Sequence, residues 1–349
     1  MRLRRAVGAE PGPSKPGSLP KTLAVLLLCL ALVCLLSLLF GAGEIGPLSA
    51  LNALLGLNGE QVGSDEAYFV IESLRGPRTL IGLVVGAALG ISGALLQAVA
   101  RNPLAEPGLL GVSAGSVFAV AVALVLGASA VTLRVPVAQL GALGGCLVVL
   151  WAARLGGVGN DPVRLVLAGA VLSGLLAALS SLLLLFDQRA ADEIRFWIIG
   201  SLAGRRLEDL QAILPSLAVA AIITLAIGRP LAALALGERV AVGLGHHPRV
   251  VRMLAIIVVA MLVGAATAIA GPIAFVGLVV PFAARALAGP DIRRTLWLSL
   301  PLGPLVVISA DIVSRLVVQP SELPLGVLTA LIGAPVLIAV VRSQRLPTL

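Results

Sequence analysis

The stretch RTLIGLVVGAALGISGALLQAV, residues 78–99, decides the fold class. After Arg78 it carries no charge, and it is long enough to cross the roughly 30 Å hydrocarbon core of a bilayer as a single helix. Gly82, Gly86 and Gly90 recur at every fourth residue, and small residues at that spacing let membrane helices approach closely. The stretch therefore predicts a membrane-spanning helix that packs inside a bundle of helices.

Composition extends this prediction to the whole chain. Of its 349 residues 59% are apolar and 12% are charged, whereas soluble domains carry about 25% charged residues. Residues 253–288 form one apolar block that Gly271 and Pro272 interrupt, which is compatible with two spans or with one span and a re-entrant segment. We predict an all-α integral membrane protein with about ten transmembrane helices in a compact bundle. Besides residues 78–99, the apolar runs that could span the membrane are 22–41, 109–128, 135–153, 163–186, 211–228, 252–271, 273–288, 295–316 and 324–341.

The distribution of basic residues predicts the direction of the spans, because Lys and Arg are concentrated in cytoplasmic loops. An even number of spans puts most of the 25 Lys and Arg on the side of the basic N-terminal segment and the C-terminal VRSQR. We therefore expect both termini in the cytoplasm. Residues 1–21 are predicted to be a disordered tail, 22–341 one transmembrane domain with a cytoplasmic loop at about 229–251, and 342–349 a second tail.

The sequence argues against several classes of function. The net charge is +8, but aromatic residues make up only 3% of the chain, unlike the mixed basic and aromatic surfaces that bind nucleic acid. The chain has two lysines, Lys15 and Lys21, and neither belongs to a G-x-x-x-x-G-K-[ST] phosphate-binding loop, so no ATPase or other enzyme activity is expected. The three cysteines are scattered and the two histidines are adjacent, so we expect no metal and no cofactor.

A coupling site for ions is also missing from the sequence pattern. Ion-driven carriers usually bury ionisable residues within their spans. Asp311 is the one carboxylate well inside a predicted span, and Arg315 follows at the four-residue spacing of an ion pair on one helix face. This pattern indicates either a passive channel or a subunit that a partner drives.

The stretch LGERVAVGLGHHPRVVR, residues 236–252, favours the partner. Leu236, Val240 and Leu244 recur at the spacing of one helix face, so a short cytoplasmic helix would carry an apolar stripe flanked by Glu238 and Arg239. Such a helix can dock in a groove of another protein. Periodicity alone does not distinguish this role from a helix that lies on the membrane surface.

Several segments together resemble one family. They are RGPRTL at 75–80, SGALLQAVARNPLAEPGLLGVSAG at 92–115, LGERVAVGLG at 236–245, GPIAFVGLVVPFAAR at 271–285, and ADIVSR with ELPLGVLTALIGAP within 310–335. In order and spacing, from about residue 70 to 341, they resemble the FecCD family, the permease subunits of ABC importers for iron-siderophores, haem and cobalamin. Phe282 stands where many members carry His, and Gly76 where Leu is usual.

This resemblance implies a permease of the type II ABC importer kind in a bacterial inner or plasma membrane. Two such subunits, identical or similar, would surround a translocation path, with cytoplasmic ATP-binding subunits on one side and an extracytoplasmic substrate-binding protein on the other. The resemblance also assigns the 236–252 stretch as the element that couples the permease to the ATPase, through Leu236, Gly237, Glu238, Arg239, Val240, Leu244 and Gly245.

The resemblance implies a further set of residues, and the spacing of small residues indicates another. Arg75, Arg78 and Arg315 match arginines that meet glutamates of the binding protein. Each could instead extend to the lipid headgroups, and Arg315 could serve only as the partner of Asp311. Arg75 and Arg78 lie three residues apart and could hold one carboxylate together. Residues expected to line the path or to pack helices together are Gly82, Gly86, Gly90, Asn102, Pro103, Gly111, Ser113 and Gly115.

The expected function is import of an iron-siderophore complex, driven by ATP that a separate subunit hydrolyses. Haem or cobalamin import by the same machinery is the alternative within the family. A secondary carrier without an ATPase partner, or a passive channel, is the alternative from another class.

Overall fold

The computed structural model describes residues 18–43, 45–56, 64–128, 130–155, 162–319 and 321–342. Most of the predicted N-terminal tail, residues 1–17, and of the C-terminal tail, residues 343–349, lie outside this range. Every regular element in the described part of the chain is a helix, which confirms the predicted fold class.

The described residues form α-helices in chain order, with a π-helix before the fourth and a 3₁₀-helix before the fifth. The π-helix covers Val70–Arg75 and the 3₁₀-helix Pro107–Leu110. The α-helices are α1 Leu19–Leu39, α2 Pro47–Leu54, α3 Ser64–Phe69, α4 Gly76–Ala100, α5 Val112–Val125, α6 Ala130–Leu155, α7 Pro162–Phe186, α8 Gln188–Ile198, α9 Leu207–Ala235, α10 Glu238–Gly243, α11 Pro248–Ala270, α12 Val276–Ala288, α13 Ile292–Leu316 and α14 Leu325–Arg342.

The ten predicted spans correspond to ten apolar helices in the described part of the chain. Seven of these helices are long and apolar enough to cross a membrane, and α5, α12 and α14 supply three shorter apolar segments. α12 has 13 residues. At 1.5 Å per residue it extends about 20 Å, less than the hydrocarbon core. The apolar block 253–288 is therefore one long helix followed by a break at 271–275 and a short helix.

Helices α4 and α11 form the centre of the bundle. In their most apolar 18-residue windows 72% and 78% of residues are buried, compared with 6% in α1 and 11% in α7. α4 packs most extensively against α13, and the two backbones touch: a Cβ added at Gly86 would lie 2.5 Å from the Pro304 nitrogen, and one added at Gly303 would lie 2.0 Å from the Gly86 oxygen. A side chain at either glycine would force the two central helices apart.

The bundle has two ends that matter for function. At the end that we call the Asp311 end, the C-terminal ends of α1 and α13 meet the start of α4, and Arg315 of α13 donates to the Ser37 carbonyl of α1. At the opposite end, the α10 end, α4 finishes at Arg101, whose guanidinium donates to the Leu234 carbonyl just before α10. Each end carries one of the residue sets that the sequence singled out.

Candidate functional site

A cluster of charged side chains occupies the Asp311 end. Arg78 places its Nε 3.0 Å from each carboxylate oxygen of Asp311 and its Nη1 2.9 Å from the carboxylate of Glu322. Arg315 places its Nη2 2.6 Å from Oδ2 of the same Asp311. Asp311 is thus shared between two arginines, and the predicted Asp311–Arg315 pair is confirmed.

Arginines also bind the C-terminal end of α1. The last four carbonyl groups of a helix have no partner within that helix. Arg75 donates from Nη1 to the Leu39 carbonyl at 2.8 Å, and Arg315 donates to the Ser37 carbonyl at 3.1 Å. Arg75 and Arg315 are 4% and 1% exposed, so both side chains are part of the interior. They join the end of α1 to α4 and α13.

The structure brings Arg75, Arg78 and Arg315 to one end of the bundle but does not put them on one accessible face. Arg75 points to α1, while Arg78 points to Asp311 and Glu322. Arg75 is the last residue of a π-helix, where the α-helical repeat does not apply. A spacing of three residues therefore does not put the side chains of Arg75 and Arg78 on one face. Arg78 and Glu322, with side chains 11% and 28% exposed, are the partly accessible members of the cluster.

The α10 end presents an exposed apolar surface. Leu236, Val240 and Leu244 are 75%, 44% and 62% exposed. The helix is shorter than the predicted stripe, because α10 spans only six residues and Leu236 and Leu244 flank it. Glu238 at its start is bonded to Arg252 of α11. The segment is therefore held to the bundle by an ion pair while its apolar side chains remain uncovered.

Two glycines form the turns on either side of α10. Gly237 and Gly245 have φ angles of 130° and 79°, which side-chain-bearing residues rarely adopt. Gly237 directly precedes α10, and Gly245 begins the turn to α11. Arg239 is exposed between them. The predicted coupling residues thus form one continuous, mostly exposed segment.

A cavity of about 710 Å³ opens beside the break between α11 and α12, within the size range of small-molecule sites. Its wall is apolar and combines the end of α8, the break and one face of α14. The lining residues are Ile198, Ile199, Pro272, Ala274, Gly326, Val327, Ala330, Leu331, Ala334, Pro335 and Ile338. Sequence reasoning missed this set, because the segments involved are more than seventy residues apart in places and are purely apolar. The break at Gly271 and Pro272 was the one signal available.

Several of the small residues expected to line the path or to pack helices together lie at contacts between helices. A Cβ at Gly115 would lie 2.3 Å from the Gly141 oxygen, and the Cβ of an alanine at Gly145 would lie 2.4 Å from the Gly111 oxygen. These contacts join α5 to α6. Ser113 on the same turn is partly exposed.

The remaining members of that set have similar local roles. Gly82 faces the Ile308 side chain of α13, and a Cβ at Gly90 would lie 2.7 Å from the Ser299 oxygen of the same helix. Asn102 accepts the Leu104 N–H with its Oδ1 at 2.9 Å, which orders the turn after α4. Pro103 follows Asn102 in this turn. Neither Pro103 nor any other residue of this set is among those that line the cavity described above.

Within the described residues no group of three or more His, Cys, Asp or Glu side chains could hold a metal ion. Among the same residues Asp311 is the one buried carboxylate, and two arginines neutralise it.

Comparison with known proteins gives a consistent result. The model of the FecCD transport family matches residues 28–343. The ferric enterobactin transport system permease protein FepD of Escherichia coli is 41% identical over 333 residues, covering 94% of this chain and 98% of FepD. The iron(3+)-hydroxamate import system permease protein FhuB of Bacillus subtilis is 37% identical and covers 92% of this chain and 83% of its own length.

A solved structure supports the same relationship. It shows an inward-facing conformation of a protein assigned to the metal-chelate type of ABC transporter, with 31% sequence identity and a TM-score of 0.77. The match covers 93% of this chain and 99% of the other. Because the family model, the relatives and the fold agree over nearly the whole length, the chain belongs to the FecCD transport family.

Proposed function

We propose that this chain is the membrane-spanning permease subunit of a binding-protein-dependent ABC importer that translocates an iron-siderophore complex. The observation that carries this proposal is the similarity to a ferric enterobactin permease over nearly the entire length of both chains. Because the similarity covers nearly the whole of both proteins, it includes the residues at both ends of the bundle and those between them.

The proposed energy source is a separate ATP-binding subunit that docks at the α10 end. In support, this chain has no phosphate-binding loop of its own, and the segment 236–245 exposes three apolar side chains beside charged ones. A partner groove that covered Leu236, Val240 and Leu244 would remove apolar surface from water and stabilise the complex. This assignment places the α10 end in the cytoplasm, in keeping with the distribution of basic residues.

The proposed path runs beside the 271–275 break, where the apolar cavity lies. One wall of that cavity is α14, whose exposed Val327, Leu331 and Ile338 would be available to a second permease subunit. We propose that two permeases, identical or similar, enclose the path between them. Apolar walls would pass a bulky chelate without binding it tightly, so selection would rest with the binding protein.

We propose that the extracytoplasmic binding protein docks at the Asp311 end, chiefly through Arg78. Arg75 and Arg315 are engaged with α1, so their contribution would be to hold the surface in shape. The guanidinium of Arg78 is the partly exposed cation of the cluster, and it would attract an acidic group of the partner.

A secondary carrier is less well supported. An ion-driven carrier needs an ionisable group that changes its charge state or its ligands within the path. Asp311 is bonded to two arginines and is not among the residues that line the cavity.

The test is uptake by cells that lack this chain. Loss of radiolabelled ferric siderophore uptake, restored by the wild-type gene, is the expected result. Haem and cobalamin uptake are measured in the same cells, since loss of one of these with siderophore uptake intact would identify the alternative substrate. Unchanged siderophore uptake would contradict the proposal.

A further inference from the structure

We propose that Glu106 is a positioning residue that fixes the break between α11 and α12, and with it one wall of the translocation path. Glu106 lies in the segment between α4 and α5, at 101–111, which is remote in sequence from the break. The structural part of this inference stands on contacts alone. Its consequence for transport rests on the proposed function.

The central contact is a hydrogen bond from the backbone of the break to a carboxylate. The N–H of Phe275 donates to Oε1 of Glu106 at 2.7 Å. Phe275 is the residue before α12, and no side chain of its own caps that helix. The first N–H groups of a helix lack partners within it, and a negative charge near them is favourable. Glu106 therefore supplies from another segment the cap that α12 lacks.

The backbone that Glu106 holds is one that Phe275 would not adopt by preference. Phe275 has φ of 67°, in the left-handed region that disfavours residues with a side chain. Such conformations persist only where the surroundings impose them. The hydrogen bond that the Phe275 N–H donates to Glu106 is a specific interaction that imposes this conformation.

Two further contacts join the 101–111 segment to the start of α12. Gln97 directs its Nε2 toward the Ala105 carbonyl at 3.3 Å and the Leu278 carbonyl at 3.4 Å, and so bridges the two segments. Pro107 lies directly over Gly277, where an added Cβ would come within 2.9 Å of the proline Cδ. Glu106 thus acts within a docked surface whose position is well defined.

The break that Glu106 holds is part of the cavity wall. Pro272 and Ala274 line the cavity, and Phe275 follows them. Phe275 also packs against α14, because a Cβ added at Gly333 would lie 2.4 Å from the Phe275 Cβ. Release of the Phe275 N–H would therefore change both the break and its contact with the opposite wall of the cavity.

The other end of the 101–111 segment is tied to the ATPase-docking region. Arg101 has φ of 48° and donates to the carbonyl of Leu234, at the end of α9 and immediately before the segment 236–245. The chain from Arg101 to Glu106 therefore connects the Leu234 carbonyl, at the end of α9, with the Phe275 N–H. If α10 moves when the ATPase closes, this segment is positioned to move the cavity wall.

The experiment measures the accessibility of the cavity wall directly. Ala274→Cys is introduced into the full chain with its three native cysteines replaced by alanine, and the purified protein is treated with a maleimide. Three substitutions separate the effect of side-chain length from that of charge. Glu106→Gln keeps the length and the acceptor oxygen, and Glu106→Asp keeps the charge but is one methylene shorter. Glu106→Ala removes both the acceptor oxygen and the charge. Glu66→Ala, at an exposed position of α3, is the matched control.

We expect the labelling rate at position 274 to change by about tenfold in the Asp and Ala variants, the scale expected when a charge-assisted hydrogen bond is lost. The Gln variant and the Glu66→Ala control should stay close to the parent. A cysteine at exposed Leu126, at the end of α5, should label equally in all variants, which excludes general unfolding. Equal labelling at 274 throughout, or a parent-like Asp variant beside an altered Gln variant, would overturn the inference.

Transport kinetics supply an independent readout. In the assembled importer, Glu106→Ala should lower the maximal uptake rate. The concentration of loaded binding protein that gives half of the maximal rate should stay unchanged. Glu106→Gln should restore the maximal rate. Because maleimide labelling requires no transport, altered labelling without any uptake by the wild-type chain would refute the proposed function while leaving the positioning role intact.

Discussion

Replacing Asp311 by alanine tests whether the charged cluster holds the Asp311 end together. The carboxylate is 2% exposed and lies between Arg78 and Arg315 at 2.7 and 2.6 Å. Its removal leaves Arg315, also 2% exposed as a side chain, without the carboxylate that it contacts directly. Breaking a buried pair in this way costs about 3–5 kcal/mol, because an uncompensated charge stays in the interior. Arg78 would retain Glu322 and be affected less.

The assay is an unfolding titration of the purified chain in mixed detergent micelles, with folded protein followed by tryptophan fluorescence. Asp192→Ala is the matched control, since Asp192 pairs with Arg195 where the two side chains are 57% and 62% exposed. Exposed pairs contribute about 0–1 kcal/mol, so this variant should unfold close to the wild type. Combining Asp311→Ala with Arg315→Met should cost less than the sum of the two single changes, because the second change removes the unpaired charge.

A free energy of unfolding for Asp311→Ala within about 1 kcal/mol of the control would refute this reasoning, since that is the range of surface pairs. Strict additivity in the double variant would refute it as well. Either result would mean that the arginines find water or other partners when the carboxylate is absent.

Three further predictions address the two ends of the bundle. Leu244→Asp should abolish transport without affecting membrane insertion, because docking would bury an unpaired charge. Leu244→Met should retain transport. Normal uptake by the Asp variant would favour a helix that lies on the membrane surface. Glu322→Gln should raise the association rate of loaded binding protein at low salt, and Arg78→Gln should lower it. Both effects should decrease as the salt concentration increases. Association rates that are the same in both variants and in the wild type would exclude docking at this cluster. In a variant without native cysteines, a cysteine at Ser18 should resist membrane-impermeant thiol reagents applied to intact cells and one at Gln188 should react, and the reverse pattern would invert the proposed orientation.

The sequence predicted the spans well because lipid imposes a simple rule on them. Each apolar run corresponds to a helix, since a backbone in hydrocarbon must satisfy its own hydrogen bonds. The largest difference is at the run predicted to end at 228, because α9 continues to Ala235 and takes up the first residues of the predicted loop at 229–251. The run predicted to begin at 295 forms a helix from Ile292, because the Asp291 side chain accepts from the Arg293 and Arg294 N–H groups and starts it earlier. The short helices α2, α3 and α8 were not predicted, since the length rule for spans does not apply to them.

The sites were harder to predict because they depend on contacts between distant segments. Arg78 and Glu322 are 244 residues apart, and neither helical spacing nor composition pairs them. Glu106 lay in a motif that the sequence singled out, but its acceptor role became visible only when the structure placed Phe275 beside it. The apolar residues around 236–245 were recognised because their pattern is local, although the helix they form is shorter than expected.

The most direct test of the account is reconstitution of this chain in proteoliposomes with and without its ATP-binding subunits and binding protein. We predict that radiolabelled iron-siderophore accumulates only when all components and ATP are present, and that the chain alone neither hydrolyses ATP nor accumulates the chelate. Accumulation by the chain alone, driven by a proton or sodium gradient, would contradict the account and identify a secondary carrier.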